Sequence, residues 1–404
     1  MAKRAKKGFL LPPAVGYSLE VWTGMLLQGG ISIRYLHRVI LTYLVSLINW
    51  PFRNYERLLI NPKYRKAPST LPKVFILGHW RSGTTHLHNL MSQDARMGYV
   101  STYQSVFPDT LRNYAGRFLF EGFAKLLIPG TRKGDNVVLG TELPQEEEFA
   151  LADKTGFSFY NYWMFPRGLR KDYKFIDQHS SPKRKLEAWK DDYRLLITKA
   201  MKSGGGSIFL SKNPPNTGRL ELLAGMFPEA KFVHIHRNPI EVFLSTRNFF
   251  RKMMPHLQVQ TISDERLQED VFWLYDRIMK DYLQQRDALN GHEAVSQKKL
   301  VEISFDDLEA RPLICLEEIY STLELGAFEE AKPTFEDYLS SKTSYQKNRH
   351  SMKRSELERI QKTWAFAFEE WGYGIPENID IEEDLAKNQT KKDLAKNETN
   401  SRER

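Results

Sequence analysis

Lys73-Val74-Phe75-Ile76-Leu77-Gly78-His79-Trp80-Arg81-Ser82-Gly83-Thr84-Thr85 is the stretch from which the fold can be read. Its first five residues form a short apolar run, as in a strand buried on both faces of a parallel sheet. Gly78 and Gly83 have the spacing of the phosphate-cradling loop G-x-x-x-x-G-K-S/T, and Thr85 stands at its hydroxyl position. Thr84 replaces the lysine that reaches the β- and γ-phosphates of a nucleoside triphosphate. A loop that keeps its backbone amides but drops that lysine is expected to hold a phosphate while transferring something other than a γ-phosphoryl group. Leu87, Leu90 and Met91 share one face of a helix that starts after Gly83. Strand, loop and helix in this order aim N-terminal amides and the helix dipole at an anion.

Two further segments have the same strand-first layout. Lys231 to His236 reads as a strand that runs into Arg237, and Pro239 is suited to the first turn of a helix over Ile240 to Phe250. Arg237 at the strand end and Ser245, about two turns into the helix, can reach one further phosphate at the carboxyl edge of an open α/β sheet. Ser207 to Ser211 reads as another strand, which would place the ammonium of Lys212 at the same edge.

Taken together, these segments resemble the sulfotransferases that use 3′-phosphoadenosine 5′-phosphosulfate. Arg81-Ser82-Gly83-Thr84-Thr85 matches that family's 5′-phosphosulfate loop. Arg237, followed eight residues later by Ser245, matches its 3′-phosphate site. The resemblance runs from about Lys73 to Tyr373 and is closest to the bacterial branch acting on lipid, sterol or other small hydroxylated acceptors. It implies an α/β fold, a P-loop-like central parallel sheet flanked by helices, in a sulfotransferase domain (71–376) that carries acceptor-pocket insertions. Patterning on either side of it reads as a helical N-terminal extension (residues 1–70) and a polar flexible tail (377–404). The resemblance also implies that Lys212 contacts the transferring group. The basic segment Tyr345 to His350 would close the nucleotide site through Lys347 and Arg349, although the family's glycine-rich pattern is absent there. No metal is expected, because a phosphosulfate carries less charge than a triphosphate.

One departure bears on the chemistry. Many cytosolic members have a catalytic histidine two residues after the lysine, and this chain has Pro214 there. A base must come from elsewhere, and some branches use a glutamate. Removing a proton from an acceptor hydroxyl requires a carboxylate or imidazole within hydrogen-bond reach. Glu146 or Glu147 is the expected base, with Glu142 behind them, because neighbouring carboxylates raise one another's pKa. The same cluster also reads as an ordinary acidic helix start after Pro144. His86 and His88 are weaker alternatives.

Composition sets bounds. Of 404 residues, 41% are apolar, enough for a sizeable core, and the net charge of +9 suits an anionic donor or an anionic membrane surface. A single cysteine, Cys315, excludes an intramolecular disulfide, suits a reducing, cytoplasmic compartment and reads as core. Phe107 to Phe123 and Phe157 to Phe165 are rich in aromatics and predict an apolar pocket for a hydrophobic alcohol. From Ser18 to Ile60 the chain is apolar, aromatic and basic, with no uncharged apolar run long enough to span a bilayer. A helix packed over the sheet or pocket is the preferred reading there. An interfacial helix on the inner face of a membrane is the other, and the two are compatible. The oligomeric state is not legible, and no nucleic-acid partner is expected. The competing classes are a Mg²⁺-dependent nucleotide kinase or NTPase, which calls for lysine at Thr84, and a basic membrane-binding protein, which leaves Arg237 and Ser245 unexplained.

Overall fold

The computed structural model describes residues 13–127, 140–291, 299–341 and 350–383. Its centre is a five-stranded sheet made of β1 (Lys73–Leu77), β2 (Met97–Gly98), β3 (Ile208–Lys212), β4 (Lys231–His236) and β5 (Leu300–Ser304), in the order β2-β3-β1-β4-β5. All pairings are parallel. Ile76 lies opposite Lys212 and Leu77 opposite His234, so β1, β3 and β4 end at one edge.

Alternation along the strands divides the interior into two layers. Val74, Ile76, Leu210 and Val233 pack against Leu87 and Leu90 of the helix Thr84–Met91. Phe75, Leu77, Phe209 and Phe232 face the opposite layer, built from the helices Lys183–Gly204, Pro239–Leu257 and Asp264–Gly291. A sheet covered on both faces explains the apolar runs over residues 74–77 in β1 and 208–210 in β3.

The expected elements occur, with differences at their ends. Asn238 accepts a hydrogen bond from the Ile240 amide at 3.0 Å, so the helix starts at Pro239, and it continues to Leu257. The single helix expected over Ser355 to Trp371 is two, Arg354–Thr363 and Ala365–Trp371. Between them Trp364 is fully buried, with its ring 4.2 Å from that of Tyr275 and 4.6 Å from that of Phe272. Burying an indole against two rings outweighs one continuous turn of helix. The segment expected as a flexible tail from residue 377 begins with structure. Ile379–Glu382 (β7) pairs in parallel with His350–Lys353 (β6), and both Ile379 and Met352 are buried.

The N-terminal helices are fastened to this body by buried charge. Arg53 lies in the last turn of the helix Leu36–Tyr55, and Glu56 opens the widened turn after it. Lys199 lies 2.5 Å from Glu56, and Asp109 takes Lys154 at 2.7 Å and Arg53 at 3.4 Å. Burial alone would raise the Asp109 carboxyl, but the cations of Lys154, Lys199 and Arg53 outweigh it and hold the group well below the usual range.

Candidate active site

The loop after β1 makes two close approaches that only glycine allows. At Gly78, φ is 146° and a Cβ would lie 2.5 Å from the Ile235 carbonyl oxygen. At Gly83, φ is 97° and a Cβ would lie 2.2 Å from the Phe305 ring. The Gly78 amide donates to Thr217 Oγ1 at 2.8 Å, which anchors the loop to the chain beyond β3. Gly83 is the residue before the helix Thr84–Met91 and offers no side-chain cap. No side-chain cap therefore competes for the first-turn amides, an arrangement that suits an anion. Ser82 and Thr84 are buried beneath it and Thr85 is half-buried.

Arg81 joins the two phosphate motifs. Its backbone is left-handed at φ 71°, and its Nε donates to Ser245 Oγ at 3.0 Å. The guanidinium lies 5.1 Å from the centre of the Phe249 ring. Arg237 sits alongside, with Nε donating to Glu241 at 3.0 Å and Nη1 to the Arg81 carbonyl at 3.4 Å. The structure thus brings Arg81, Arg237 and Ser245 together at the sheet edge. Lys347 and Arg349 lie outside the described residues.

At the end of β3, buried Lys212 donates to Glu146 Oε1. Tyr160 donates its hydroxyl to the other oxygen of Glu146 and accepts from Trp80 Nε1 at 3.1 Å. Burial first, and then the Glu146 charge, push the Tyr160 phenol well above its ordinary value, so it stays a donor. Phe149 packs on Tyr160 at 4.7 Å between ring centres, and Trp80 and Tyr162 complete an aromatic wall around the carboxylate.

The three consecutive glutamates have three different surroundings. Glu146 meets Lys212. Glu148 is fully buried and bonds Arg219 Nη1 at 2.6 Å, Asn213 Nδ2 at 2.9 Å and Ser158 Oγ at 2.8 Å. Glu147 is also fully buried, and neither of its oxygens makes a hydrogen bond of normal geometry. Burial raises its carboxyl to about 8 from 4.5, partly opposed by its own backbone, the nearby Ser211 hydroxyl and the Lys212 charge. The Glu146 charge is the smallest contributor, so desolvation and not carboxylate clustering causes the shift. Glu142 is exposed and belongs to none of these groups.

Glu147 makes stability fall with rising pH. The folded chain keeps this proton up to about pH 8, whereas the unfolded chain releases it near 4.5, so its contribution is complete below 4.5 and lost by about 8. Glu147→Gln should flatten this decline in urea-denaturation midpoints across that window. An unchanged slope would show that Glu147 is ionised in the folded chain.

The two histidine candidates lie on the helix after the loop. His88 is buried, and burial followed by the Lys212 charge lowers its imidazole well below its ordinary value. His86 is half-buried on the same helix. Pro214 opens a buried turn, Pro214–Arg219. Three site residues were not anticipated: Thr217 on the loop amide, Tyr160 on Glu146, and Asn213 on Glu148. Only Tyr160 had a sequence signal, as one ring of an aromatic run. Among the described residues, no group of three or more His, Cys, Asp or Glu side chains is placed to hold a metal ion.

Known proteins resemble the chain as a whole. The omega-hydroxy-beta-dihydromenaquinone-9 sulfotransferase Stf3 of Mycobacterium bovis is 26% identical over 366 residues, 90% of this chain and 91% of that protein. The solved sulfotransferase STF9 of Mycobacterium avium superposes with a TM-score of 0.63 at 16% identity, covering 90% of this chain and 98% of that one. STF1 of Mycobacterium tuberculosis gives 0.60 at 16% identity over 86% and 91%. At such identities the two structures speak for the fold. Residues 72–330, well over half the chain, match the family model described as "Sulfotransferase family". The kinase alternative falls with that match, and the chain belongs to the sulfotransferase family.

Proposed function

We propose that this enzyme moves a sulfuryl group from 3′-phosphoadenosine 5′-phosphosulfate to the hydroxyl of a lipid-like acceptor. The observation that carries the reading is the Lys212–Glu146 pair, which stands at the sheet edge where the Gly78–Thr85 loop, Arg237 and Ser245 also end. The donor supplies the sulfuryl group and a phosphate leaving group. Arg81, the Ser82 hydroxyl and the amides of Gly83, Thr84 and Thr85 hold its 5′-phosphosulfate, and Arg237 and Ser245 its 3′-phosphate. Glu146, oriented by Tyr160, takes the acceptor proton as the new O–S bond forms. Lys212 neutralises the bridging oxygen as its bond to sulfur breaks. Lys347 and Arg349 remain candidates for closing the nucleotide site.

Two observations support a hydrophobic acceptor. The carboxylate is walled by Tyr160, Phe149, Trp80 and Tyr162, and the relative from M. bovis is named for a menaquinone substrate. The bound portion of such an acceptor would lie on these rings with its hydroxyl at Glu146.

Calorimetry with 3′-phosphoadenosine 5′-phosphate beside ADP tests the donor. The 3′-phosphorylated ligand should bind more tightly, with no requirement for Mg²⁺. Arg237→Ala should weaken it by about ten- to a hundredfold, as for loss of a charge-assisted hydrogen bond, and leave ADP nearly unchanged. Equal losses for both ligands would remove Arg237 from the 3′-phosphate site.

A further inference from the structure

The helix Leu36–Tyr55 turns apolar side chains away from the body of the protein. Its inward side is mixed, with Val39 and Val45 beside Thr42, Ser46, Asn49 and Arg53, all buried. Its outward side carries Leu36, Ile40, Leu44, Leu47 and Trp50, with Leu44 55% and Leu47 61% exposed. An amphipathic helix of a water-soluble domain keeps its outward side polar. The apolar surface continues past the helix end, where Leu58 is 72% exposed. It continues also onto the helix Tyr114–Leu127, which packs beside it through Phe52 and Phe120 and exposes Phe118 at 86%. A surface of this extent marks an interaction site.

Charge identifies the occupant. From Leu27 to Lys66 the chain has seven Lys and Arg residues and one acidic residue, Glu56. Glu56 is buried on Lys199, so no acidic side chain of this stretch is exposed. Arg34, Arg57, Lys63 and Lys66 are exposed around the apolar face. A second copy meeting this face would set like charges together in a self-complementary contact. A bilayer with anionic headgroups meets both features, since acyl chains receive the leucines and headgroups receive the cations. Trp50 and Tyr55 are the residue types that settle at that boundary. Among the described residues no helix is long and apolar enough to cross a membrane.

We propose that the outward face of Leu36–Tyr55, with Leu58 and Phe118, docks this enzyme onto the surface of an anionic phospholipid bilayer. The evidence for docking is separate from that for the acceptor. Together they place the enzyme where a lipid hydroxyl is found.

Flotation of the full chain with phosphatidylcholine vesicles containing phosphatidylglycerol tests the proposal without any sulfuryl transfer, so failure of the acceptor reading leaves this result intact. The chain should float with the mixed vesicles, and less with pure phosphatidylcholine or in high salt. The double variant Leu44→Glu/Leu47→Glu should bind at least about tenfold more weakly, with an unchanged melting temperature because both side chains already face outward. Absence of flotation, or equal flotation by the variant, would overturn docking. So would light scattering that showed a dimer split by the two substitutions, which would give the face to a second copy.

Discussion

Alanine in place of Lys212 is expected to lower turnover by about a hundred- to a thousandfold, with little change in affinity for 3′-phosphoadenosine 5′-phosphate. The side chain is 3% exposed at the end of β3 and is held on Glu146, so its ammonium is positioned before any ligand arrives. Charge on the bridging oxygen is greater in a loose transition state than in the bound donor, which makes this a loss in turnover more than in binding. Removing the lysine also leaves Glu146 with Tyr160 alone, so Glu146→Gln is the necessary companion. It should slow the reaction by about 10²–10⁴. If the two groups act as one device, the double variant should be little slower than the slower single variant. Simple multiplication of the two losses would mean that they serve separate steps. Turnover within a few fold of the parent for Lys212→Ala would remove it from the chemistry.

Glu148→Ala is expected to cost about 3–5 kcal/mol of folding stability, a large part of what a domain possesses. Arg219 is fully buried, and its partner carboxylate also accepts from Ser158, Asn213 and the Phe159 amide. The truncation leaves the Arg219 cation without its counter-charge, held only by the Phe175 carbonyl and Asn216, and takes an acceptor from Ser158 and the Phe159 amide in the interior. Glu148→Leu combined with Arg219→Met should recover part of the loss, since no unpaired charge then remains. Burial alone would raise the Glu148 carboxyl, but Arg219 and the hydrogen bonds hold it below 4.5. Its contribution is therefore complete above the unfolded value of 4.5 and is lost as pH falls through the lower folded value. Urea midpoints, with activity per folded molecule, test the assignment. A stable but inactive Glu148→Ala would make the residue part of the catalytic device.

What could be read from the sequence was local. The β1–loop–helix unit and the β4–Arg237–helix unit each lie within a few turns of chain, and glycine spacing, apolar runs and Pro239 mark them without reference to the rest of the molecule. The pairing of Lys212 with Glu146 spans 66 residues and depends on where an insertion returns to the sheet, which no local pattern records. The acidic run shows the same limit. Side by side in sequence, Glu146, Glu147 and Glu148 look alike. One step along a helix start turns each carboxylate into a different environment: against an ammonium, into a buried site with no hydrogen bond of normal geometry, and onto a guanidinium. Trp364 likewise breaks a continuous helical pattern because its ring has a place between Tyr275 and Phe272.

The short parallel pair near the carboxyl end has a practical consequence. Composition invites a cut at residue 377, where the sequence turns polar. Such a cut would delete Asn378, whose amide donates to Glu241 at 3.3 Å, the carboxylate that also holds Arg237. It would also strip β7 from β6, the strand that begins one residue after Arg349. A shortened protein prepared for crystallisation should keep the chain through Glu382, and an affinity tag is safer beyond that strand than in place of it.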